Sequence, residues 1–325
     1  MKILFIFLDG VGLGGDDPQV NPLVKTPMPN LESLLGGNKL IANGYHPITG
    51  SEPWILYSSR ATLLALDACL GVEGLPQSAS GQASLLTGKN VAALLGVHDG
   101  PKPNPIVREI IRQGTLFTRM QQEANNAALL NAYPPRYFES IESGYRIPGV
   151  IALAANYAGM HINTQEDLWH GEAISADFTA QGWREHLGLP DTPTLSPGQA
   201  GERLSSLAAR SQLAFFEYWL TDVAGHHQDM PSACGMLELF DAVLGSLADT
   251  WDDEQGLILI TSDHGNLEDL STRHHTRNDV PLLLIGSQNH RQQFVELLLQ
   301  ISSNRQKPDL TDITPAILGF LGTTK

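Results

Sequence analysis

The chain has 325 residues, of which 42% are hydrophobic and 17% are charged. It is long enough to bury a large core and longer than one average domain. Acidic residues outnumber basic ones by 35 to 20, which gives a formal net charge of −15. Such a surface repels polyanions, so we expect neither nucleic acid nor an anionic membrane as a partner. An acidic enzyme can still bind a phosphate ester if metal cations supply positive charge locally.

The amino terminus, MKILFIFLDG, superficially resembles a signal peptide because Lys2 is followed by apolar residues. The apolar run covers only Ile3–Leu8, which is too short for a signal-peptide core or a membrane span. A buried parallel strand explains it better. The two cysteines, Cys69 and Cys234, lie far apart and do not indicate a disulfide-stapled secreted scaffold. We therefore expect a cytoplasmic protein.

Short apolar runs recur along the chain with amphipathic segments between them. The runs are Ile3–Leu8, Ala61–Ala65, Ala214–Leu220, Leu257–Thr261 and Pro281–Ile285. The segments with helical periodicity are Pro29–Leu35, Asn104–Arg112, Glu202–Arg210, Cys234–Ala248, Gln292–Ile301 and Thr311–Leu321. This pattern predicts an α/β fold with a mostly parallel sheet covered by helices on both faces. Active sites of such sheets lie beyond the carboxyl ends of the strands, where Asp9, Asp222 and Asp263 follow three of the runs.

Residues 100–199 differ from the rest of the chain because they are rich in Pro, Gly and Asn. The segment starts at GPKPNP, ends near LPDTPTLSPG and holds only weaker strand signals such as Ala127–Leu130. We predict a smaller inserted α/β cap domain over 100–199, between two parts of the core at 1–99 and 200–325. An insertion beside strand ends commonly forms a lid over the site.

The densest group of polar side chains lies in residues 260–281, ITSDHGNLEDLSTRHHTRNDVP. It brings Asp263, His264, His274 and His275 into one short loop. Carboxylate oxygen and imidazole nitrogen together suit Zn, Mn or Fe better than Ca. A polar loop with capping aspartates is the ordinary alternative, but four such residues after a buried strand favour a metal site.

Two further elements offer metal ligands at strand ends. Asp222 and His226 are four residues apart, so in a helical turn they share one face and can meet a single ion. Asp9 ends the first run, and Gly10 and Gly12 let the backbone turn sharply there. Alone, each motif is weak, because D-x-x-x-H is frequent by chance and L-D-G is only a strand-ending turn.

The segment GLPQSASGQASLLTG, residues 74–88, places Ser78 near the start of a helix predicted to run through Leu86. Free backbone N–H groups at a helix N-terminus suit a phosphate. The Ser78 hydroxyl is either a helix N-cap or a nucleophile, and the cap is the better local explanation. Ser80 and Ser84 are lesser candidates for a nucleophile. The chain lacks a P-loop, a G-x-S-x-G elbow and a G-x-G-x-x-G fingerprint.

Together and in this order, these four elements resemble the alkaline phosphatase superfamily, and more closely the metalloenzyme domain of cofactor-independent phosphoglycerate mutases and phosphopentomutases. The resemblance covers residues 1–95 and 205–325, and SDHGN followed by HTRNDVP is its most specific part. It implies two divalent metal ions, Mn or Zn, with Mg also compatible. It assigns Asp9, Ser78, Asp263 and His264 to one ion, and Asp222, His226 and His275 to the other. The S-x-x-G-H pattern of the mutases is matched at residues 78–82, except that Gln82 replaces the histidine.

The resemblance also implies that a metal-activated Ser78 forms a phosphoserine before the phosphoryl group passes to water or a second hydroxyl. Because a mutase must exclude water and this insertion is short, we expect a phosphatase or phosphodiesterase acting on a small phosphorylated metabolite. The alternatives are a phosphomutase of the phosphoglycerate or phosphopentose type and a non-catalytic metal-binding pseudoenzyme. A metal-dependent peptidase or deacetylase is a weaker alternative because H-E-x-x-H is absent. Candidate contacts for substrate phosphate or carboxylate are Arg136, Arg146, Arg273 and Arg277.

Overall fold

The computed structural model describes residues 1–42, 55–122 and 126–323, and a single seven-stranded sheet lies at the centre of these residues. The strands are β1 (Lys2–Leu8), β2 (Ile55–Tyr57), β3 (Ala61–Leu66), β4 (Ala127–Leu129), β5 (Leu213–Tyr218), β6 (Gly256–Thr261) and β7 (Val280–Ile285). Their order across the sheet is β2-β3-β7-β6-β1-β5-β4. The strand predicted over Ala214–Leu220 ends earlier, at Tyr218, because Leu220 already begins a helix.

Strand direction determines where the loops meet. β4, β5, β1 and β6 are parallel neighbours, whereas β7 runs antiparallel to both β6 and β3. The predicted α/β fold with a mostly parallel sheet is confirmed. Because β6 and β7 are antiparallel neighbours, the loop 262–279 leaves and re-enters the sheet at the same edge. That edge is also the one at which β1 and β5 end.

The helices pack on both faces of the sheet, as predicted. In chain order they are α1 (Pro22–Lys25), α2 (Pro29–Leu34), α3 (Ser78–Thr87), α4 (Val91–Leu95), α5 (Pro105–Arg112), α6 (Leu116–Gln122), α7 (Pro135–Glu142), α8 (Val150–Tyr157), α9 (Gln165–His170), α10 (Gln181–His186), α11 (Pro197–Ala208), α12 (Leu220–His227), α13 (Met230–Thr250), α14 (Gln288–Ile301) and α15 (Ile313–Leu321). A 3₁₀ turn, Leu310–Asp312, precedes α15. Among these helices, none combines the length and apolar sequence needed to cross a membrane.

Alternation along β1 shows why its sequence is apolar throughout. Phe5 and Phe7 pack with residues of α3, α5, α6, α8, α14 and α15 on one face. Leu4 and Ile6 pack with residues of α2, α11 and α13 on the other face. Successive side chains of a strand point to opposite faces, so a central strand covered on both sides must be apolar at every position.

Residues 100–199, predicted as an inserted cap, contribute to both main apolar cores and to a small cluster of their own, with Ile174 and Phe178 in the core that contains α11 and α13. β4 pairs with β5, and α5, α6 and α8 contribute to the same core as α3. A separate small apolar cluster consists of Ala132, Leu168, Ala173, Ala180 and Trp183. The domain boundaries stay a prediction, and this packing favours a cap smaller than 100–199 because the first part of that range belongs to the main α/β layers.

Candidate metal centre and nucleophile

The predicted ligands lie together at the edge of the sheet where β1, β5 and β6 end. Asp9 follows β1 directly, and Asp263 and His264 follow β6 after one residue. Asp222 lies in the first turn of α12, which begins just after β5. The chain turns at Gly10 with φ of 71°, and a Cβ there would lie 2.7 Å from Asp222 Oδ1. A glycine is therefore needed for this turn to pass so close to Asp222.

The first cluster consists of Asp9, Asp263 and His264, all buried. His264 Nε2 lies 3.4 Å from Asp9 Oδ1 and 3.6 Å from Asp263 Oδ2. Within the described residues, Asp9 Oδ1 and both carboxylate oxygens of Asp263 are buried without a hydrogen-bond partner. Buried carboxylates with no donor are costly, so this arrangement fits a bound cation.

The second cluster consists of Asp222, His226 and His275. The two Nε2 atoms lie 3.3 Å apart, at 3.3 Å and 3.7 Å from the Asp222 carboxylate. His226 Nδ1 donates to the carbonyl of Arg273 at 2.8 Å, and His275 Nδ1 donates to the carbonyl of Pro76 at 2.7 Å. A carbonyl can only accept, so Nδ1 carries the proton of each neutral ring and both Nε2 atoms present lone pairs. With both rings neutral, three acceptors converge with no proton between them, and this donor set fits a divalent metal ion.

The two clusters adjoin each other through stacked imidazoles. The rings of His264 and His275 have centroids 3.7 Å apart and planes inclined by 13°. Burial lowers the pKa of both histidines, and the neighbouring His275 lowers that of His264 further. Burial and the charge of Asp222 raise the pKa values of Asp9 and Asp263. Neutral imidazoles can act as metal ligands, and a bound cation would favour ionisation of these carboxyls.

Ser78 is the first residue of α3, and its hydroxyl lies 3.0 Å from His264 Nε2. The N-cap of this helix is Gln77, so the capping explanation for Ser78 is wrong. The lesser candidates are engaged with the backbone: Ser80 Oγ donates to the carbonyl of Gln77, and Ser84 Oγ to that of Ser80. The geometry therefore favours Ser78 as the hydroxyl that meets the first cluster.

The residues around Ser78 explain the spacing of its motif. A Cβ on Gly81 would lie 3.0 Å from Asp263 Cβ, so α3 packs directly against the end of β6. Gln82, where the mutase pattern has histidine, is buried with Nε2 3.4 Å from Asp9 Oδ2. The replacement leaves an amide donor beside an Asp9 carboxylate oxygen.

Comparison with known proteins gives a family match over the carboxyl-terminal part of the chain, which contributes most of the candidate metal ligands. A family described as Metalloenzyme superfamily matches residues 202–325. The 2,3-bisphosphoglycerate-independent phosphoglycerate mutase of Picosynechococcus sp. is 33% identical over 158 residues, 44% of this chain and 29% of the mutase. That of Chloroflexus aurantiacus is 25% identical over 232 residues, 63% of this chain and 39% of the mutase. The resemblance to the metalloenzyme domain of cofactor-independent phosphoglycerate mutases is confirmed. The matches span between 25% and 40% of the length of these curated mutases.

Solved structures agree with the fold. The PH0037 protein from Pyrococcus horikoshii superposes with a TM-score of 0.56 at 15% identity, covering 100% of this chain and 97% of that one. The lipoteichoic acid synthase LtaP from Listeria monocytogenes gives a TM-score of 0.50 at 9% identity, covering 100% and 72%. At these identities the likeness supports the α/β architecture alone.

Glu268 is a site residue to which the sequence analysis gave no role. Its buried carboxylate accepts hydrogen bonds from the backbone N–H groups of Gly12 at 2.9 Å and Asn266 at 2.8 Å. It also accepts from Asn278 Nδ2 at 3.0 Å and from Thr276 Oγ1. Thr276 and Asn278, the Thr and Asn of the H-T-x-N motif, therefore both bind the Glu268 carboxylate, and this shared contact explains the T-x-N spacing. An acid between SDHGN and H-T-x-N was the available sequence signal.

We expect Glu268→Gln to lower the free energy of unfolding of the metal-free protein by about 2–3 kcal/mol. The amide retains one acceptor oxygen but presents an NH₂ group toward donors, so the loop 262–279 loses part of its anchor to the β1 turn. Urea denaturation of EDTA-treated protein measures the change. Exposed Glu296→Gln is the matched control and is expected to stay within about 0.5 kcal/mol of wild type. Equal stability of the two variants would contradict this role.

The four candidate substrate arginines, Arg136, Arg146, Arg273 and Arg277, are all exposed. Among described residues, Arg277 is the one of them with a side-chain hydrogen bond, to the carbonyl of Gly74 at 3.0 Å. Arg146 lies close enough to Lys102 for its charge to lower the lysine pKa, an effect second to desolvation. Lys102 in turn interacts with the charge of Asp9. Lys102 is therefore a basic residue near the site that the sequence analysis did not single out.

Proposed function

We propose that this chain is a metal-dependent phosphoryl-transfer enzyme in which Ser78 takes up the phosphoryl group of a small phosphate ester. The observation that carries the proposal is the convergence of lone pairs in the second cluster. His226 Nε2, His275 Nε2 and the Asp222 carboxylate face one another with both ring protons committed elsewhere. The carboxylate oxygens of the first cluster that lack a hydrogen-bond partner among the described residues, and the adjacent Ser78 hydroxyl, support the same conclusion.

The donor sets fit two divalent ions. Asp9, Asp263, His264 and Ser78 would hold one, and Asp222, His226 and His275 would hold the other. Mixed oxygen and nitrogen ligands suit Mn or Zn, and Mg is compatible with the oxygen ligands. When bound, such ions neutralise phosphoryl charge and favour the alkoxide of a coordinated serine. A protein with a formal charge of −15 would otherwise repel this substrate.

The chain's own groups set the course of the reaction. The Ser78 proton leaves to solvent, and Oγ bonds to phosphorus as the bond between phosphorus and the ester oxygen breaks. The leaving alcohol takes up a proton from solvent. Since Ser78 begins α3, the N–H groups of Ser78 and Ala79 have no intrahelical partner and suit the phosphoryl oxygens, whereas the Ser80 N–H donates to the carbonyl of Asp99 at 2.9 Å. The immediate product is a phosphoserine.

The acceptor for that phosphoryl group separates two candidate functions. Water gives the phosphatase or phosphodiesterase expected from the short insertion. A second substrate hydroxyl gives a mutase, and the phosphoglycerate mutases to which this chain is similar favour this outcome. Both candidates use the same two clusters and the same serine. Both also take a small phosphorylated molecule as partner, in preference to nucleic acid or a membrane.

Turnover of two kinds of substrate tests the proposal. Protein loaded with Mn, Zn or Mg is expected to release p-nitrophenol from p-nitrophenyl phosphate, and EDTA is expected to abolish the release. ³¹P NMR of 3-phosphoglycerate and of a pentose 1-phosphate then distinguishes isomerisation from release of inorganic phosphate. A protein that binds these metals yet acts on none of the three substrates contradicts the proposed function.

A further inference from the structure

Glu217 lies near the end of β5, at the same edge of the sheet as the end of β1 and the candidate metal ligands. This residue is paired with Phe7 of β1, two positions before Asp9. It lies two positions after Phe215, whose side chain packs on the α3 face. Alternation therefore places Glu217 on that same face, one strand spacing of about 5 Å from β1. In the described residues its carboxylate has neither a hydrogen bond nor an ion pair, although only part of the side chain is exposed.

Asn131 binds the backbone of Glu217 through its side chain. The Asn131 side chain accepts from the Glu217 N–H at 2.8 Å and donates to the Glu217 carbonyl at 2.8 Å. Tyr133, which follows Asn131 by two positions, is the second residue of interest here. It packs against Tyr137 with ring centroids 4.4 Å apart and ring planes inclined by 34°. The Tyr133 hydroxyl is buried and lacks a hydrogen-bond partner among the described residues. A buried phenol without a partner is unusual and costly.

Strand pairing places Glu217 beside the end of β1, and the charges in this region affect one another accordingly. Burial raises the pKa of Tyr133, and the charge of Glu217 raises it further. Burial raises the pKa of Glu217 to about 7, although the positive charge of Lys102 acts to lower it. Glu217 also contributes to the raised pKa of Asp9, after burial and the other acids of the site. The unpaired Glu217 carboxylate is thus close to Asp9 of the first cluster and to the Tyr133 phenol, and the charge of Lys102 acts on both acids.

We propose that Glu217 and Tyr133 form a subsite for the hydroxyl groups of the substrate, which is a phosphate ester of a polyhydroxy compound. This deepens the proposed function and rests on it. A carboxylate accepts from a hydroxyl, and a phenol both donates and accepts, so a polyol satisfies both groups. An apolar ester would leave both unpaired. A cationic substrate group is disfavoured because Lys102 and Arg146 already supply positive charge.

Such a subsite would distinguish phosphate esters that carry hydroxyl groups from those that lack them. A site built to hydrogen-bond a substrate hydroxyl rejects an analogue that lacks it far more strongly than a site that only packs against methylenes. We expect the Mn-loaded protein to bind 3,4-dihydroxybutylphosphonate at least about 10-fold more tightly than butylphosphonate. Both phosphonates have a C–P bond in place of the ester and differ only in two hydroxyls. Isothermal titration calorimetry measures the two affinities without any turnover.

The variants are Tyr133→Phe, which removes only the orphaned hydroxyl, and Glu217→Gln. Each is expected to reduce the preference by about 5-fold or more, whereas butylphosphonate affinity stays within about 2-fold. Tyr145→Phe, at a side chain 91% exposed, is the control and should keep the wild-type preference. Thermal melts establish that each variant is folded.

Equal affinity of wild-type protein for the two phosphonates, or no binding of either, overturns the inference. A preference that survives in both variants overturns it as well. Failure of the proposed function gives a different result: the diol preference and its loss in the variants are seen, but no phosphate ester is turned over.

Discussion

Replacing Ser78 with alanine is expected to lower kcat for p-nitrophenyl phosphate by about 10⁴-fold, with little change in stability. The hydroxyl makes one hydrogen bond to the described residues, to His264 Nε2, and it does not cap α3. Its removal therefore eliminates the atom that accepts the phosphoryl group while leaving the helix intact. Steady-state kinetics of the metal-loaded variant and a thermal melt measure the two effects.

Ser80→Ala is the matched control in the same helix and is expected to show the opposite pattern. Ser80 Oγ donates to the carbonyl of Gln77 and accepts from the N–H of Asp99. Losing these contacts should lower the free energy of unfolding by about 1 kcal/mol and leave kcat within about 10-fold of wild type. If Ser80→Ala were inactive and Ser78→Ala active, the assignment of the nucleophile would be wrong.

Asp263→Asn is expected to raise the stability of the metal-free protein and to reduce the stabilisation that bound metal provides. Without metal, the variant should be more stable than wild type, because a buried carboxyl near Asp9 and Asp222 is replaced by a neutral amide. With metal, wild-type protein should gain about 4 kcal/mol at a free metal concentration about 1,000 times the dissociation constant. The variant should lose most of the gain that comes from the first cluster. Differential scanning calorimetry with EDTA and with Mn measures both effects.

The pH dependence of the metal-free protein follows from the same carboxyl together with those of Asp9 and Glu217, whose pKa values burial also raises. Burial and the charge of Asp222 raise the pKa of Asp263 to about 8, whereas in the unfolded chain its pKa is about 3.9. Between these values the folded protein binds more protons than the unfolded chain, so stability falls as pH rises. His264 and His275, with lowered pKa values, act in the opposite direction below about pH 6.5. The melting temperature should therefore fall from about pH 6.5 to about pH 8.5, a window set by these pKa values.

The variant tests this origin of the pH dependence. Asp263→Asn should make the slope shallower, the remainder coming from Asp9 and Glu217, and exposed Asp191→Asn should retain the full slope. Saturating metal should remove the part of the decline that comes from Asp9 and Asp263, because the ion favours the ionised carboxylates. A wild-type slope and a wild-type gain from metal in Asp263→Asn would remove Asp263 from the metal centre.

The central strands could be predicted from the sequence because burial on both faces makes them apolar at every position, as in β1 and β6. The strand after α11 was predicted too long because Trp219 and Leu220 are apolar, although Trp219 is 44% exposed and α12 begins at Leu220. The short helices α7, α9 and α10 were not predicted, since they have too few turns to show periodicity. The capping box of α9, Thr164 with Asp167, was an available signal.

For the site, local motifs indicated candidate ligands but not the residues that support them. Asp263 with His264, and Asp222 with His226, stand at spacings that carry their own chemical meaning. Glu268 acquires its role through Gly12, which is 256 positions away in the chain. The proposed roles of Glu217 and Tyr133 depend on strand pairing across the sheet. Such contacts have no periodic or motif signature in a single sequence.

Anomalous diffraction from crystals grown with Mn is the most direct test of the proposed dinuclear centre. Two peaks are predicted: one ligated by Asp9, Asp263 and His264 beside Ser78, the other by Asp222, His226 and His275. Data on either side of the Mn absorption edge would identify both peaks as this metal. Metal bound only elsewhere, or an ion-free structure at saturating Mn in which these side chains pair with each other, would contradict the account.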